Sequence, residues 1–332
     1  MYVATQNLRG GVSPRGIRLR GQSIIEYVLI IAIIGLVIVF AGPGVAGAIQ
    51  NQFNLVGNTL NSGTNGGTEG GGASGGGSAG ADSATVQAAV AKDAKDWTLD
   101  EQEAVAKDIA KNGTSSIAYA KAKAAMDAGT KFFVKLTNGA TLEYRIVGIG
   151  HDDLADGSGK AGLTFLTTSE GIGSRVNYNS DNFGGWEKSE LRAKMNSGEI
   201  WNLMPSDFQS KVKPVRKLTN NVGGGDENKD AAVTATSDRL FLLSYSEIVG
   251  TPRSDWSEWS WIGHEGTQYE AFKGKVMQNH SDNACLQTGD EWWERSVKPN
   301  GLTAFLVVTG RGDPSYPRAA GCWERVCPAW CF

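Results

Sequence analysis

The chain has 332 residues, of which 40% are hydrophobic and 20% are charged, so most of it can fold around a buried core. Its 32 basic and 35 acidic residues give a net charge of -3, which excludes the basic surface that general nucleic-acid binding requires. Three histidines leave little material for a histidine-based metal centre. We therefore expect no metal, no cofactor and no nucleic-acid partner.

The N-terminal residues predict a membrane segment. Residues 28–49 carry no charged side chain, and 22 helical residues are long enough to cross a hydrocarbon layer of about 30 Å. Four arginines lie between residues 9 and 20, which predicts that the N-terminus stays in the cytoplasm. A secretory signal peptide and an ordinary transmembrane anchor are the alternatives.

One carboxylate lies among the apolar residues just before this segment. Glu26 would cost on the order of 3 kcal/mol inside a membrane, so a functional reason is expected for it. The order Gly21, Gln22, three further residues and then Glu26-Tyr27 resembles the Flp (Tad) branch of type IV pilins. The resemblance implies that a prepilin peptidase removes a basic leader, residues 1–21, and leaves Gln22 as the new N-terminus.

The same resemblance assigns further roles. Residues 22–62 would form the pilin transmembrane helix, which lies in the membrane before assembly. Glu26 would pair with the free N-terminal amine of a neighbouring pilin subunit, because a charge in lipid needs a partner.

Two segments of different composition follow. Residues 63–82 are rich in glycine and predict a flexible linker. Residues 83–129 are rich in alanine and lysine and predict a helical spacer, with an N-cap at Thr98 and a break at Gly113. The favoured interpretation is a pair of amphipathic helices packed on the next domain, and the alternative is a partner-binding helix.

Residues 130–332 predict one α+β head. Phe132–Leu136 and Leu142–Val147 flank Asn138-Gly139 and read as a β-hairpin. Leu240–Ser244 is predicted as a strand, and Val326–Phe332 as a final edge strand.

Four ordered blocks of this region carry a second resemblance. They are Trp186–Arg192, Arg239–Ser244, Trp292–Ser296 and Val326–Phe332. Together they resemble a bacterial family of unknown function, of the DUF6273 type, with a C-type-lectin-like fold. The predicted fold class is thus α+β, with an N-terminal transmembrane pilin helix, a flexible Gly-rich linker and a C-type-lectin-like domain.

Aromatic and charged residues near the C-terminus are the candidate ligand-binding residues, because exposed aromatic rings give large contact area at low entropy cost. The candidates are Trp256, Trp259, Trp261, Arg311, Asp313, Tyr316, Arg318, Trp323, Glu324 and Arg325. Two plainer alternatives are open: the tryptophans close over the core, and Arg311-Gly312-Asp313 is an ordinary turn. Calcium-dependent sugar binding is disfavoured, because Lys298 stands where a carboxylate ligand is needed.

The four cysteines are Cys285, Cys322, Cys327 and Cys331. Outside the cell an even number favours disulfides over free thiols. Cys327 and Cys331 would be about 13 Å apart in a strand and cannot pair there, so each would need Cys285 or Cys322.

These features predict a minor or tip pilin that presents an adhesin head on the cell surface, made as a membrane-anchored precursor. Its partners would be prepilin peptidase, other pilin subunits and a surface ligand, protein or glycan. The alternatives are a pseudopilin of a secretion system and a membrane-tethered surface receptor. A minor alternative is a head diversified by a retroelement, as in some C-type-lectin-like proteins. An enzyme comes last, because no catalytic arrangement is visible.

Overall fold

The computed structural model describes residues 78–168, 171–221, 232–250, 262, 265–276 and 283–332. The α-helices are α1 (Ser78–Ala91), α2 (Leu99–Asn112), α3 (Tyr119–Asp127), α4 (Gly185–Lys188), α5 (Glu190–Asn196), α6 (Glu199–Leu203), α7 (Ser206–Gln209) and α8 (Tyr245–Ile248). The strands are β1 (Phe132–Lys135), β2 (Thr141–Ile149), β3 (Leu163–Thr167), β4 (Gly173–Ser174), β5 (Val215–Thr219), β6 (Thr234–Asp238), β7 (Trp292–Val297), β8 (Ala304–Val308), β9 (Tyr316–Ala319), β10 (Glu324–Arg325) and β11 (Ala329–Cys331).

Helix α2 begins and ends where the sequence predicts. The Thr98 hydroxyl accepts from the Glu101 amide at 3.2 Å, and the Glu101 carboxylate accepts from the Thr98 amide at 2.7 Å. This reciprocal pair satisfies two amides that the first turn leaves without a helical partner. Gly113 closes the helix with a φ of 55°, in the region that favours glycine. The predicted N-cap and the predicted break are both confirmed.

The three N-terminal helices share the core of the β-rich part. Trp97 stacks on Phe132 of β1 with ring centroids 6.3 Å apart. Helix α2 approaches β3 so closely that a Cβ on Gly162 would lie 1.8 Å from the Ala106 carbonyl oxygen. Only glycine fits at that contact. Helix α1 begins at Ser78, inside the range predicted as linker, because its alanines favour a helix.

The first sheet has the strand order β1-β2-β3-β11. Strands β1 and β2 form the predicted antiparallel hairpin, and Gly139 in its turn has a φ of 88°. The aromatic side chains of the sheet pack on one another: Tyr144 lies 5.5 Å from Phe165 and 4.8 Å from Trp330, centroid to centroid. The final strand β11 lies at the sheet edge beside β3, as predicted.

The second sheet has the strand order β4-β10-β7-β8-β9. Strand β10 is antiparallel to β4 and parallel to β7, whereas β8 is antiparallel to both of its neighbours. A separate hairpin is formed by β5 and β6.

The strand predicted at Leu240–Ser244 is not formed. Its side chains are buried, but within it only Phe241 makes a β-bridge, to Ala329. Two of its carbonyls are instead bound by Arg295, from Nη1 to Leu242 at 2.8 Å and from the backbone amide to Leu243 at 3.0 Å. The backbone of this buried apolar run is thus satisfied by isolated bonds to β11 and β7 and by one side chain, instead of by a regular strand ladder.

The predicted fold class is wrong as stated. The described residues form a mixed α/β body, and no helix among them has the length and apolar character to cross a membrane. The longest of them, α1 and α2, have 14 residues each, or about 21 Å at 1.5 Å per residue. The predicted membrane-anchored precursor, and the cell-surface location derived from it, are therefore not supported by the described residues. The predicted leader, pilin helix 22–62 and linker residues 63–77 lie outside the described residues.

Candidate functional site

A solvent-open groove of about 760 Å³ lies at the β4–β10 end of the second sheet. Strands β4 and β10 form one wall, and the turns before β7 and after β8 form the other. Four of the predicted ligand-binding residues line it: Arg311, Trp323, Glu324 and Arg325. The structure therefore brings together residues that the sequence analysis chose separately.

Trp323 is the main apolar surface of the groove. Its side chain is 66% exposed, although tryptophan is normally among the more buried residue types. The indole lies against the backbone of Gly173, where a Cβ would be 2.4 Å from the ring nitrogen. The missing side chain at Gly173 thus lets the nitrogen edge of the indole approach β4, while most of the residue is exposed.

Two arginine–carboxylate pairs border the indole. Arg318 contacts Glu291 through two nitrogens: Nη2 donates to Oε1 at 2.6 Å, and Nε donates to Oε2. Arg325 donates from Nη2 to Asp290 at 2.5 Å and from Nη1 to the Thr288 carbonyl at 2.9 Å. The two-point contact between Arg318 and Glu291 fixes the planes of both groups, whereas Asp290 receives a single hydrogen bond from Arg325.

Glu324 is an acid of the groove whose pKa is raised. Burial and the nearby Glu291 carboxylate raise its pKa, with a smaller contribution from Asp290, and Arg318 opposes them. The Arg318 guanidinium is held in its charged form, because its hydrogen bonds to Glu291 raise its pKa. The groove therefore presents an exposed ring beside fixed planar donors and acceptors of both signs.

The Asp313 carboxylate of the Arg-Gly-Asp tripeptide is half-buried and is bonded within its own turn. The Asp313 carboxylate accepts from the Ser315 amide at 2.9 Å and from its hydroxyl at 2.7 Å. Arg311 faces the groove instead. This arrangement is that of an ordinary turn, which was the alternative interpretation.

Two further candidates border the groove without lining it. Tyr316 is 42% exposed on β9, and the Arg318 guanidinium lies 4.8 Å from its ring centroid. The remaining candidates, Trp256, Trp259 and Trp261, lie outside the described residues, as do the predicted processing residues Gly21, Gln22, Glu26 and Tyr27.

The four cysteines are free thiols, so the structure does not contain the predicted disulfides. They occupy separate environments. Cys331 contacts the Thr164 hydroxyl at 3.3 Å, and Cys285 lines a smaller cavity of about 290 Å³ beside Arg145. Cys327 is fully buried, and burial raises its pKa to about 12. Cys322 is half-buried beside Trp323.

The sequence analysis missed the acidic partners of the groove. Asp290 and Glu291 follow Gly289 directly before β7, so a turn with acids was visible there. Their arginines lie 35 and 27 residues further along the chain. No local pattern connects groups at such separations.

A second polar cluster lies in the core and was also missed. Lys217 of β5 is buried between Asp152, after β2, and Glu247, in α8. Arg295 of β7 binds Glu247 on the other side. Asp152 is the first residue of the acid-rich segment Asp152–Gly159. In the described part of the chain, no group of three histidine, cysteine or acidic side chains is arranged to hold a metal ion.

Comparison with known families returns one match and no pilin or C-type-lectin family. The model of the family described as "Domain of unknown function (DUF6273)" matches residues 161–327. No curated protein and no solved structure gives a significant match. The matched residues include both walls of the groove, from Gly171 to Arg325. Because the match spans about half of the chain, the protein belongs to the DUF6273 family.

Proposed function

We propose that the C-terminal body is a non-catalytic binding module, and that the groove around Trp323 holds the ligand. The observation that carries the proposal is the two-thirds-exposed indole seated on Gly173. An exposed tryptophan beside an open groove offers a partner a large contact area at low conformational-entropy cost. The open groove beside it offers about 760 Å³ for that partner.

The chemistry of the walls favours a glycan. Sugar rings stack their apolar C–H faces on aromatic rings, and their hydroxyls bind planar carboxylate and guanidinium groups. The pairs Arg318–Glu291 and Arg325–Asp290 supply such groups at fixed positions, and their opposite charges cancel. A neutral polyhydroxylated ligand fits this balance better than a strongly charged one.

A glycan array probed with the purified chain tests this proposal. We expect binding to a restricted set of glycans, and Trp323→Ala lowers the affinity at least 30-fold, or about 2 kcal/mol, as for a central aromatic contact. Phe133→Ala is the matched control, because Phe133 is 60% exposed on β1 in the other sheet. Equal loss in both variants, or no glycan bound at all, would argue against the groove as a glycan site.

We further propose that this module is carried by a pilin-like subunit, minor or at the filament tip. The support is in the sequence: Gly21, then Gln22, then Glu26-Tyr27 at the spacing of Flp-type prepilins. A pseudopilin of a secretion system is the alternative assembly. Mass spectrometry of the N-terminus in a sheared filament fraction tests the proposal. A start at Gln22 is expected, and an intact leader would contradict it.

A further inference from the structure

The core cluster around Lys217 has the parts of a condensation site. The Lys217 ammonium nitrogen lies 2.7 Å from Oδ1 of Asp152 and 2.5 Å from Oε1 of Glu247. All three side chains are at most 4% exposed. We propose that Lys217 and Asp152 join in an intramolecular isopeptide bond, with Glu247 carrying the proton between them. This inference is independent of the groove and of its ligand.

The carboxyl carbon of Asp152 is prepared for attack. Its second oxygen, Oδ2, accepts from the Thr164 hydroxyl at 2.6 Å and from the Tyr269 hydroxyl at 2.9 Å. The amine faces the other oxygen. Two fixed hydroxyl donors on Oδ2 polarise the carboxyl group and stabilise the oxyanion of the tetrahedral intermediate.

The amine is enclosed by aromatic rings. Its nitrogen lies 4.2 Å from the centroid of Phe241 and 5.5 Å from that of Tyr269. Although burial alone would lower it, the Asp152 and Glu247 carboxylates raise the pKa of Lys217, so the resting pair is ionised. The reaction therefore proceeds through the minor form in which a proton has moved along the 2.7 Å hydrogen bond to Oδ1.

Glu247 is placed to accept the next proton, because its Oε1 lies 2.5 Å from the Lys217 nitrogen and its carboxylate is ionised. Although burial alone would raise it, the charges of Arg295 and Lys217 keep the pKa of Glu247 below its ordinary value. The carboxylate takes a proton from the attacking nitrogen and returns it to the departing Oδ1.

The step balances without any co-reactant. The Lys217 nitrogen forms a bond to the Asp152 carboxyl carbon, and the bond from that carbon to Oδ1 breaks. Two of the three ammonium protons leave with Oδ1 as water, one stays on the amide nitrogen, and no atom is oxidised or reduced.

The surroundings favour the product. Well-oriented groups react with effective concentrations on the order of 10⁵ M or more. The amide also removes one buried positive and one buried negative charge, whose desolvation is costly. Glu247 remains paired with Arg295, so no buried charge is left alone. The bond would close a loop between residues 65 positions apart and fasten the turn after β2 to strand β5.

Mass spectrometry of the full chain after tryptic digestion tests the proposal. Without the bond, trypsin cleaves after Lys217 and releases residues 146–160 and 218–229 as linear peptides. With it, Lys217 is protected. We then expect one branched peptide of residues 146–160 and 217–229. Its mass is one water less than the summed masses of peptides 146–160 and 217–229. Only linear peptides from folded protein would overturn the proposal, whatever the groove binds.

Variants separate the roles of the residues. Lys217→Arg should give linear peptides only. Asp152→Asn should form the same branched peptide with loss of ammonia instead of water, and Glu247→Gln should slow the bond at least tenfold in refolded protein. The matched comparison is the ion pair of Lys211 and Asp100. Nζ of Lys211 lies 2.5 Å from Oδ1 of Asp100, but the pair is open to solvent, since the Asp100 side chain is 78% exposed. A bond there as well would show that proximity alone suffices and would contradict the role of the core.

Discussion

The pH dependence of stability can be attributed in part to one carboxyl group, Glu265. It is fully buried, with Oε1 accepting from the Asn220 amide at 2.9 Å and Oε2 accepting from the Ser296 hydroxyl. Burial raises its pKa from 4.5 to about 7, although the Arg295 charge opposes the shift. The folded state thus holds a proton that the unfolded state has released above pH 4.5.

The sign and size follow from this difference. Between pH 4.5 and pH 7 the folded chain binds more protons than the unfolded chain, so the free energy of unfolding falls as the pH rises. At about 1.4 kcal/mol per tenfold change in proton affinity, Glu265 lowers the free energy of unfolding by roughly 3 kcal/mol once the pH passes 7. Glu265→Gln keeps the shape and an acceptor for Asn220 but cannot ionise.

Urea unfolding of both proteins from pH 5 to pH 8 measures the effect. We expect the free-energy difference between Glu265→Gln and wild type to grow in favour of the variant by about 2.5 kcal/mol over this range. Burial also raises the pKa of Glu294, and the Glu265 charge adds to that shift, so the measured difference includes the loss of this repulsion in the variant. Parallel pH profiles would refute the assignment to Glu265.

Three further predictions concern other parts of the body. Gly162→Ala should lower the free energy of unfolding by at least about 3 kcal/mol, because its Cβ would meet the α2 backbone at 1.8 Å, whereas Gly301→Ala, with no contact under 3.4 Å, should change it little. Equal effects in urea unfolding would contradict this reading. Thr98→Ala should cost about 1 kcal/mol and lower the helical circular dichroism signal on heating; an unchanged melting curve would speak against the cap. Iodoacetamide at pH 8 should label the half-buried Cys285 and spare Cys327 until urea is added, which peptide mapping would show.

The parts predicted correctly from the sequence are those fixed by near neighbours. The Thr98 cap needs only Glu101, three residues away, and the β1–β2 hairpin needs only the turn at Asn138-Gly139. The strand predicted at Leu240–Ser244 failed for a physical reason: its carbonyls are bound by Arg295, which is more than fifty residues distant. Its apolar run looks the same in either case.

The residues of the groove likewise divide into those that the sequence could predict and those that it could not. Trp323 and Arg325 could be selected because exposed aromatic and charged types near the C-terminus favour binding. Their partners Asp290 and Gly173 could not, since β10 meets β4 and β7 only through pairings that span more than thirty residues. The burial of Lys217 could not be predicted either, because an isolated lysine in a strand is usually on the surface.

The shared core of the helices and the first sheet determines how the body would carry tension. Helices α2 and α3 lead directly into β1, and Trp97 stacks on Phe132 of that strand. A pull applied from the N-terminal side therefore acts first on the three helices and reaches the first sheet through them. The groove lies on the other sheet, between β4 and β10. The proposed binding groove thus lies on a different sheet from the elements that such a pull reaches first.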